Sequence, residues 1–91
     1  MADVVVTLRI MPEGPEVDLT MLQESATKDI AAFGGEVGRV QIEPVGFGIQ
    51  ALKLFFVMPE SKGSTDPLEA TIAKIGGVGS VSVDDVRRTI G

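Results

Sequence analysis

Three short stretches of this sequence hold the side chains best placed to do chemistry. The first is Gly46-Phe47-Gly48, a phenylalanine between two glycines just ahead of the most apolar run in the chain. Glycine on either side removes side-chain support and weakens a strand, so the ring is either a packed corner of the core or a hook offered to a partner. The second is Asp84-Asp85, two carboxylates that could hold a hard cation if they converged. Adjacent residues of a strand point to opposite faces, which favours two solvated carboxylates instead. The third is Arg87-Arg88, the adjacent basic pair near the end of an acidic chain. It is a solvated tail, or a pair of salt bridges with Asp84 and Asp85, or a charged tip for an acidic or phosphate-lined surface.

The rest of the composition limits the chemistry further. There is no histidine and no cysteine, which removes the commonest general base near neutral pH and all thiolate chemistry. Neither a nucleophile with its base nor a metal set can be assembled, so no catalytic residue, no metal ligand and no cofactor is assigned. The net charge is −5 and the isoelectric point about 4.5. That argues against direct nucleic-acid binding, whose affinity comes largely from neutralising phosphates. No apolar run approaches the roughly 20 residues needed to span a bilayer, and the start, Met1-Ala2-Asp3, shows no secretory leader. The expectation is a cytoplasmic protein of one domain, residues 1–91.

The elements that must position these residues follow from periodicity. Val4, Val6, Leu8 and Ile10 alternate with Val5, Thr7, Arg9 and Met11, a strand that stops at Pro12 to Pro15. Asp18 caps a helix whose stripe is Leu19, Leu22, Ala26, Ile30 and Phe33, and Gly34-Gly35 ends it. Val37 to Glu43 is a second strand with edge character. Pro44 to Gly48 breaks it, and Ile49 to Met58 is a third strand with apolar groups on both faces, hence central. Asp66 is expected to cap a second helix, with Pro67 in its first turn and Glu69 completing a capping box. Leu68, Ile72 and Ile75 form its buried stripe, and Gly76-Gly77 its end. Val78, Val81 and Val83 lead the last strand, followed by Asp84 to Gly91.

The order β-α-β-β-α-β predicts an α+β fold, a ferredoxin-like sandwich with a four-stranded antiparallel sheet and two helices on one face. Several activities known on that plan lack their residues here. A metal chaperone needs a Cys-x-x-Cys pair, and an RNA-recognition module needs aromatics on its central strands, where Phe55 stands alone. A phosphate-cradling loop has to open a helix, whereas both glycine pairs follow helices. An acyl-phosphate hydrolase wants an arginine in the first loop and a positioned amide; that loop has no arginine and the chain no asparagine.

Four stretches carry a family resemblance: Val4 to Pro12, Glu43-Pro44-Val45-Gly46-Phe47-Gly48-Ile49, Leu52-Lys53-Leu54, and Val81 to Arg88. From Asp3 to Arg88 the chain resembles the archaeal elongation factor 1-beta family and the C-terminal exchange domain of its eukaryotic counterparts. The Pro-x-Gly-Phe-Gly-Ile segment is the most specific part, and no extra domain is left over. The resemblance implies a ferredoxin-like guanine nucleotide exchange factor whose partner is the GTPase elongation factor 1-alpha. It implies that Gly46, Phe47 and Gly48 contact that GTPase. Eukaryotic members also aim a C-terminal lysine at its magnesium region. No lysine follows Lys74 here; Arg87 and Arg88 are the cations at that end, and arginine's rigid fork is not equivalent to lysine's compact charge. The competing expectation is an oligomerising or small-molecule-sensing module that uses an apolar open sheet face of Val5, Met11, Phe55 and Val57.

Overall fold

A computed structural model describes residues 3–88. Met1-Ala2, read above for a leader, and the final Thr89-Ile90-Gly91 lie outside the described residues. The elements run β1 (Asp3–Pro12), α1 (Leu19–Phe33), β2 (Glu36–Gly46), β3 (Ile49–Pro59), a 3-10 turn (Glu60–Lys62), α2 (Asp66–Ala73) and β4 (Val78–Arg88). The four strands form one sheet in the order β2-β3-β1-β4, and every pairing is antiparallel. This is the ferredoxin-like arrangement that the alternation of elements predicted.

One face of the sheet carries the core. Val6, Leu8 and Ile10 of β1 and Leu52, Leu54 and Phe56 of β3 are fully buried, with Leu22, Ala26 and Ile30 of α1 and Leu68 and Ile72 of α2 against them. Each of these side chains larger than alanine is worth about 1.5–3 kcal/mol when taken out of water, so this layer holds the two helices to the sheet. Helix α1 packs over β2 and β3 and α2 over β4. The other face of the sheet is open.

Helix α1 starts and stops where its residues say it should. Asp18 Oδ1 accepts from the Thr20 amide at 3.0 Å and the Met21 amide at 3.4 Å. Gly34, with φ of 108°, closes the other end in the left-handed conformation that a glycine adopts freely.

Helix α2 departs from expectation at both ends. Its cap position is Thr65, not Asp66. The Asp66 amide donates to Ser64 Oγ at 3.0 Å, and the Thr65 hydroxyl donates to Glu69 Oε2 at 2.9 Å. The capping box fails because Glu69 is held by that hydroxyl. At the far end the helix stops at Ala73, so Gly76-Gly77 does not terminate it. Gly77, with φ of 97°, instead forms the turn into β4, and its carbonyl accepts from the Glu13 amide at 2.8 Å.

Candidate partner-binding hairpin

Strand β2 is an edge strand, as its sparse pattern suggested, but it is longer than expected. It runs through Pro44 to Gly46, and only Phe47-Gly48 remains as the turn. Proline is tolerated there because an outer strand can leave one side of its backbone unpaired. Pro44 stands opposite Gln50 and Gly46 opposite Ile49, so Val45 is one residue too many on β2 and makes a bulge. Such a bulge bends the strand and increases its twist just before the tip.

The turn itself is demanding. Phe47 has φ of 54° and Gly48 φ of 75°, preceded by Gly46 at 109°. Positive φ at both central positions is the condition for a type I′ hairpin turn, whose favoured residues are Asn-Gly, Asp-Gly and Gly-Gly. A phenylalanine in the left-handed region costs on the order of 1 kcal/mol. The ring recovers nothing from burial, since Phe47 is 99% exposed. The packed-corner explanation is therefore wrong for this residue. Neither the core nor the turn asks for phenylalanine at this position. Gly48 sits over the loop after β1, where a side chain would meet Pro15 at an ordinary 3.7 Å. The glycines are thus required by backbone conformation, not by crowding.

Arg87 and Arg88 are not at this tip. Arg88 stands opposite Val4 on β1, and Val4 opposite Met58 on β3. The hairpin turn precedes Ile49, so the length of β3 from Ile49 to Met58, about 30 Å at a strand's rise per residue, separates the two features. The two arginines also part from each other. A bulge at Asp84 shifts the alternation of β4, because Asp85 opposes Thr7 while Val83 opposes Leu8. Arg87 falls on the open face, where its Nε donates to Asp85 Oδ2 at 2.7 Å. Arg88 falls on the helix side and pairs with Glu60 of the 3-10 turn. The same bulge corrects the reading of the acidic pair: Asp84 and Asp85 both serve the open face, each engaged by a different cation.

The open face carries a feature that the sequence reading missed. Glu43 of β2 lies 3.6 Å from Arg9 Nη2 of β1 and 2.8 Å from Lys53 Nζ of β3, and Lys53 lies 3.7 Å from Asp84 Oδ2 of β4. One ion-pair chain thus touches all four strands. The hydrogen bond and charge of Lys53 hold the Glu43 carboxyl below the ordinary glutamate range, and the same bond raises Lys53 above the usual lysine value. Arg39 lies 5.5 Å from the ring centre of Phe55 and covers it. Charged groups therefore interrupt the face that Val5, Met11, Phe55 and Val57 were expected to make apolar. The alternation had placed Arg9, Lys53 and Glu43 on outward positions. It lacked only the register that sets them side by side.

The fold is that of a small α+β domain with one fully displayed aromatic ring, at the tip of its β2–β3 hairpin. The chain matches the family model of the EF-1 guanine nucleotide exchange domain over residues 5–89. It is 42% identical over 88 residues to the elongation factor 1-beta of Methanosphaera stadtmanae, covering 97% of this chain and 98% of that one. It is likewise 42% identical over 89 residues to the elongation factor 1-beta of Staphylothermus marinus, again covering 97% and 98%. The chain belongs to the EF-1 guanine nucleotide exchange domain family. Among solved structures, the C-terminal domain of the MgtC protein from Mycobacterium tuberculosis superimposes with a TM-score of 0.64 at 15% identity, covering 89% of this chain and 84% of that one. The ACT domain of GTP pyrophosphokinase from Chlorobium tepidum gives 0.60 at 20% identity, covering 89% and 97%. Those two likenesses concern the fold alone.

Proposed function

We infer that this chain is a guanine nucleotide exchange factor that promotes GDP release and GTP loading on the translation GTPase elongation factor 1-alpha, with Phe47 as its apolar anchor. The observation that carries the assignment of the anchor is a phenylalanine 99% exposed on a turn whose backbone disfavours it. Membership of the exchange-domain family supports the activity, and the relatives called elongation factor 1-beta support the partner.

In this reading the chain makes and breaks no bond, and residues 1–91 act as one exchange domain in the cytoplasm. A partner that binds the nucleotide-free GTPase better than the GDP-bound form must weaken GDP by the same factor. The cellular ratio of GTP to GDP then sets the direction. Phe47 enters an apolar site on the GTPase, and Gly46 and Gly48 leave room beside the ring for the partner's surface. Arg87 and Arg88 are a second, charged contact. The sheet holds them about 30 Å from the ring, so the partner is met at two separate places. With a net charge of −5, the chain binds the GTPase itself and not the RNA that the GTPase delivers.

Release of fluorescent GDP from purified elongation factor 1-alpha tests this directly. The wild-type chain accelerates release, and Phe47→Ala loses most of that acceleration while remaining folded. A variant that exchanges at the wild-type rate would remove the ring from the mechanism.

A further inference from the structure

The ion-pair chain on the open face has one unusual member. Arg9 of β1 and Lys53 of β3 stand directly opposite each other in the ladder, a position where like charges repel. Glu43 answers both, one carboxylate oxygen towards each cation, at 3.6 Å and 2.8 Å. Asp84 reaches Lys53 alone among the cations it is paired with, at 3.7 Å. Without Glu43, Lys53 would keep only Asp84 at 3.7 Å, and Arg9 would face it with no carboxylate of this ion-pair chain beside it.

The place of Glu43 in the chain gives this arrangement a consequence. It is the last residue of β2 before Pro44 and the Val45 bulge, and so stands at the foot of the hairpin that ends in Phe47. Strand β2 is the outer strand on that side, so it is hydrogen-bonded to the sheet through β3 alone, and it has a second irregularity where Gly38 is extra. The contact of Glu43 with Arg9 reaches past β3 to the next strand and ties the foot of the hairpin to the middle of the sheet.

We propose that Glu43 is a positioning residue for nucleotide exchange: by answering the facing cations Arg9 and Lys53 it fixes the foot of the β2–β3 hairpin, and with it the direction in which Phe47 is presented. The inference rests on the reading of Phe47 as the anchor. It assigns Glu43 no contact with the GTPase. Its effect is to keep the tip in one orientation, so that little ordering is left to be done on binding.

The test uses the full chain and two independent readouts. Glu43→Gln keeps the shape and removes the charge. Amide hydrogen exchange at Ile42 to Gln50 then rises several-fold, while β1 and α1 keep their protection. In the GDP-release assay the concentration of factor giving half the maximal rate rises several-fold, and the maximal rate is unchanged. Adding Arg9→Met to Glu43→Gln removes the repulsion between the facing cations and recovers part of both values. A carboxylate that only touched the GTPase would not be rescued in this way. If Glu43→Gln does not fold, Glu43→Asp, which draws the charge back by one methylene, gives an intermediate loss of protection in the hairpin.

Unchanged hairpin protection in Glu43→Gln overturns the proposal, as does a loss that Arg9→Met does not rescue even in part. Phe47→Ala, run beside these, separates the two ideas. Full exchange activity in that variant defeats the anchor assignment, while amide protection still decides whether Glu43 fixes the hairpin.

Discussion

Phe47 and Arg88 occupy opposite ends of the same sheet, separated by the run of β3 between Ile49 and Met58. Contacts this far apart and with no shared neighbours should act independently. The losses in exchange efficiency caused by Phe47→Ala and Arg88→Glu are therefore expected to add, within about 0.3–0.5 kcal/mol, in the double variant. Measuring kcat/KM for GDP release in the four proteins checks it. Strong non-additivity would mean that the two ends act through one contact. Arg88→Glu should also lower the association rate and flatten its dependence on salt.

The turn at Phe47 predicts a conflict between stability and function. Replacing the ring by asparagine gives the Asn-Gly pair that a type I′ turn prefers. Phe47→Asn is expected to raise the free energy of unfolding by roughly 1 kcal/mol, because a short polar side chain tolerates positive φ better than a phenyl ring. It should at the same time lose most exchange activity. Urea unfolding together with the GDP-release assay would read both. A less stable variant would show that the ring contributes to the folded state after all.

Buried phenylalanine behaves differently. Phe56 is fully buried beneath α1, and Phe56→Ala should cost about 3–5 kcal/mol through lost burial and the cavity left behind. Gly35 is its close neighbour. A Cβ there would lie 2.8 Å from Ile30 Cγ2 and 2.9 Å from Phe56 Cδ2. Gly35→Ala is thus expected to cost about 1–3 kcal/mol by overpacking, with no direct effect on the hairpin tip. Chemical unfolding gives both values.

The Glu43–Lys53 pair sets a dependence on pH with a definite sign. Glu43 titrates below its unfolded value, first because of the hydrogen bond from Lys53 and then because of that residue's charge. Its contribution is present above the unfolded glutamate pKa and is lost as pH falls through the lowered folded value. Lys53 titrates above its unfolded value because of its bond to Glu43. Its contribution is present below the unfolded lysine pKa and is lost as pH rises through the raised folded value. Glu43→Gln should therefore remove part of the acid-limb loss of stability and narrow the alkaline one. Thermal unfolding of both proteins across the acid and alkaline ranges checks this. Curves that remain parallel would show that the pair contributes nothing.

Much of the architecture was legible because it depends on local period and cap chemistry. The alternation of Val4 to Met11, the stripe from Leu22 to Ile30 and the cap at Asp18 each follow from a short window of residues. The ends of α2 were not legible. Thr65, not Asp66, takes the cap position while its hydroxyl is bonded to the Glu69 side chain, and the helix stops short of Gly76-Gly77 although its apolar spacing continues to Ile75.

The sequence by itself determined the order of elements, the buried faces and the presence of an aromatic ring between two glycines. It also determined the family, through the Pro-x-Gly-Phe-Gly-Ile segment. Tertiary structure alone decided where those residues lie with respect to one another, because pairing register and bulges depend on contacts between strands remote in the chain. One extra residue at Asp84 decides that Arg87 takes the open face and Arg88 the helix side. One strand's length separates them from Phe47, and the register of three pairings gathers Arg9, Glu43, Lys53 and Asp84 into a single chain of charges. Whether Phe47 was a packed corner or a protruding hook turned on the same cause: only the closed hairpin shows that its ring meets no part of its own fold.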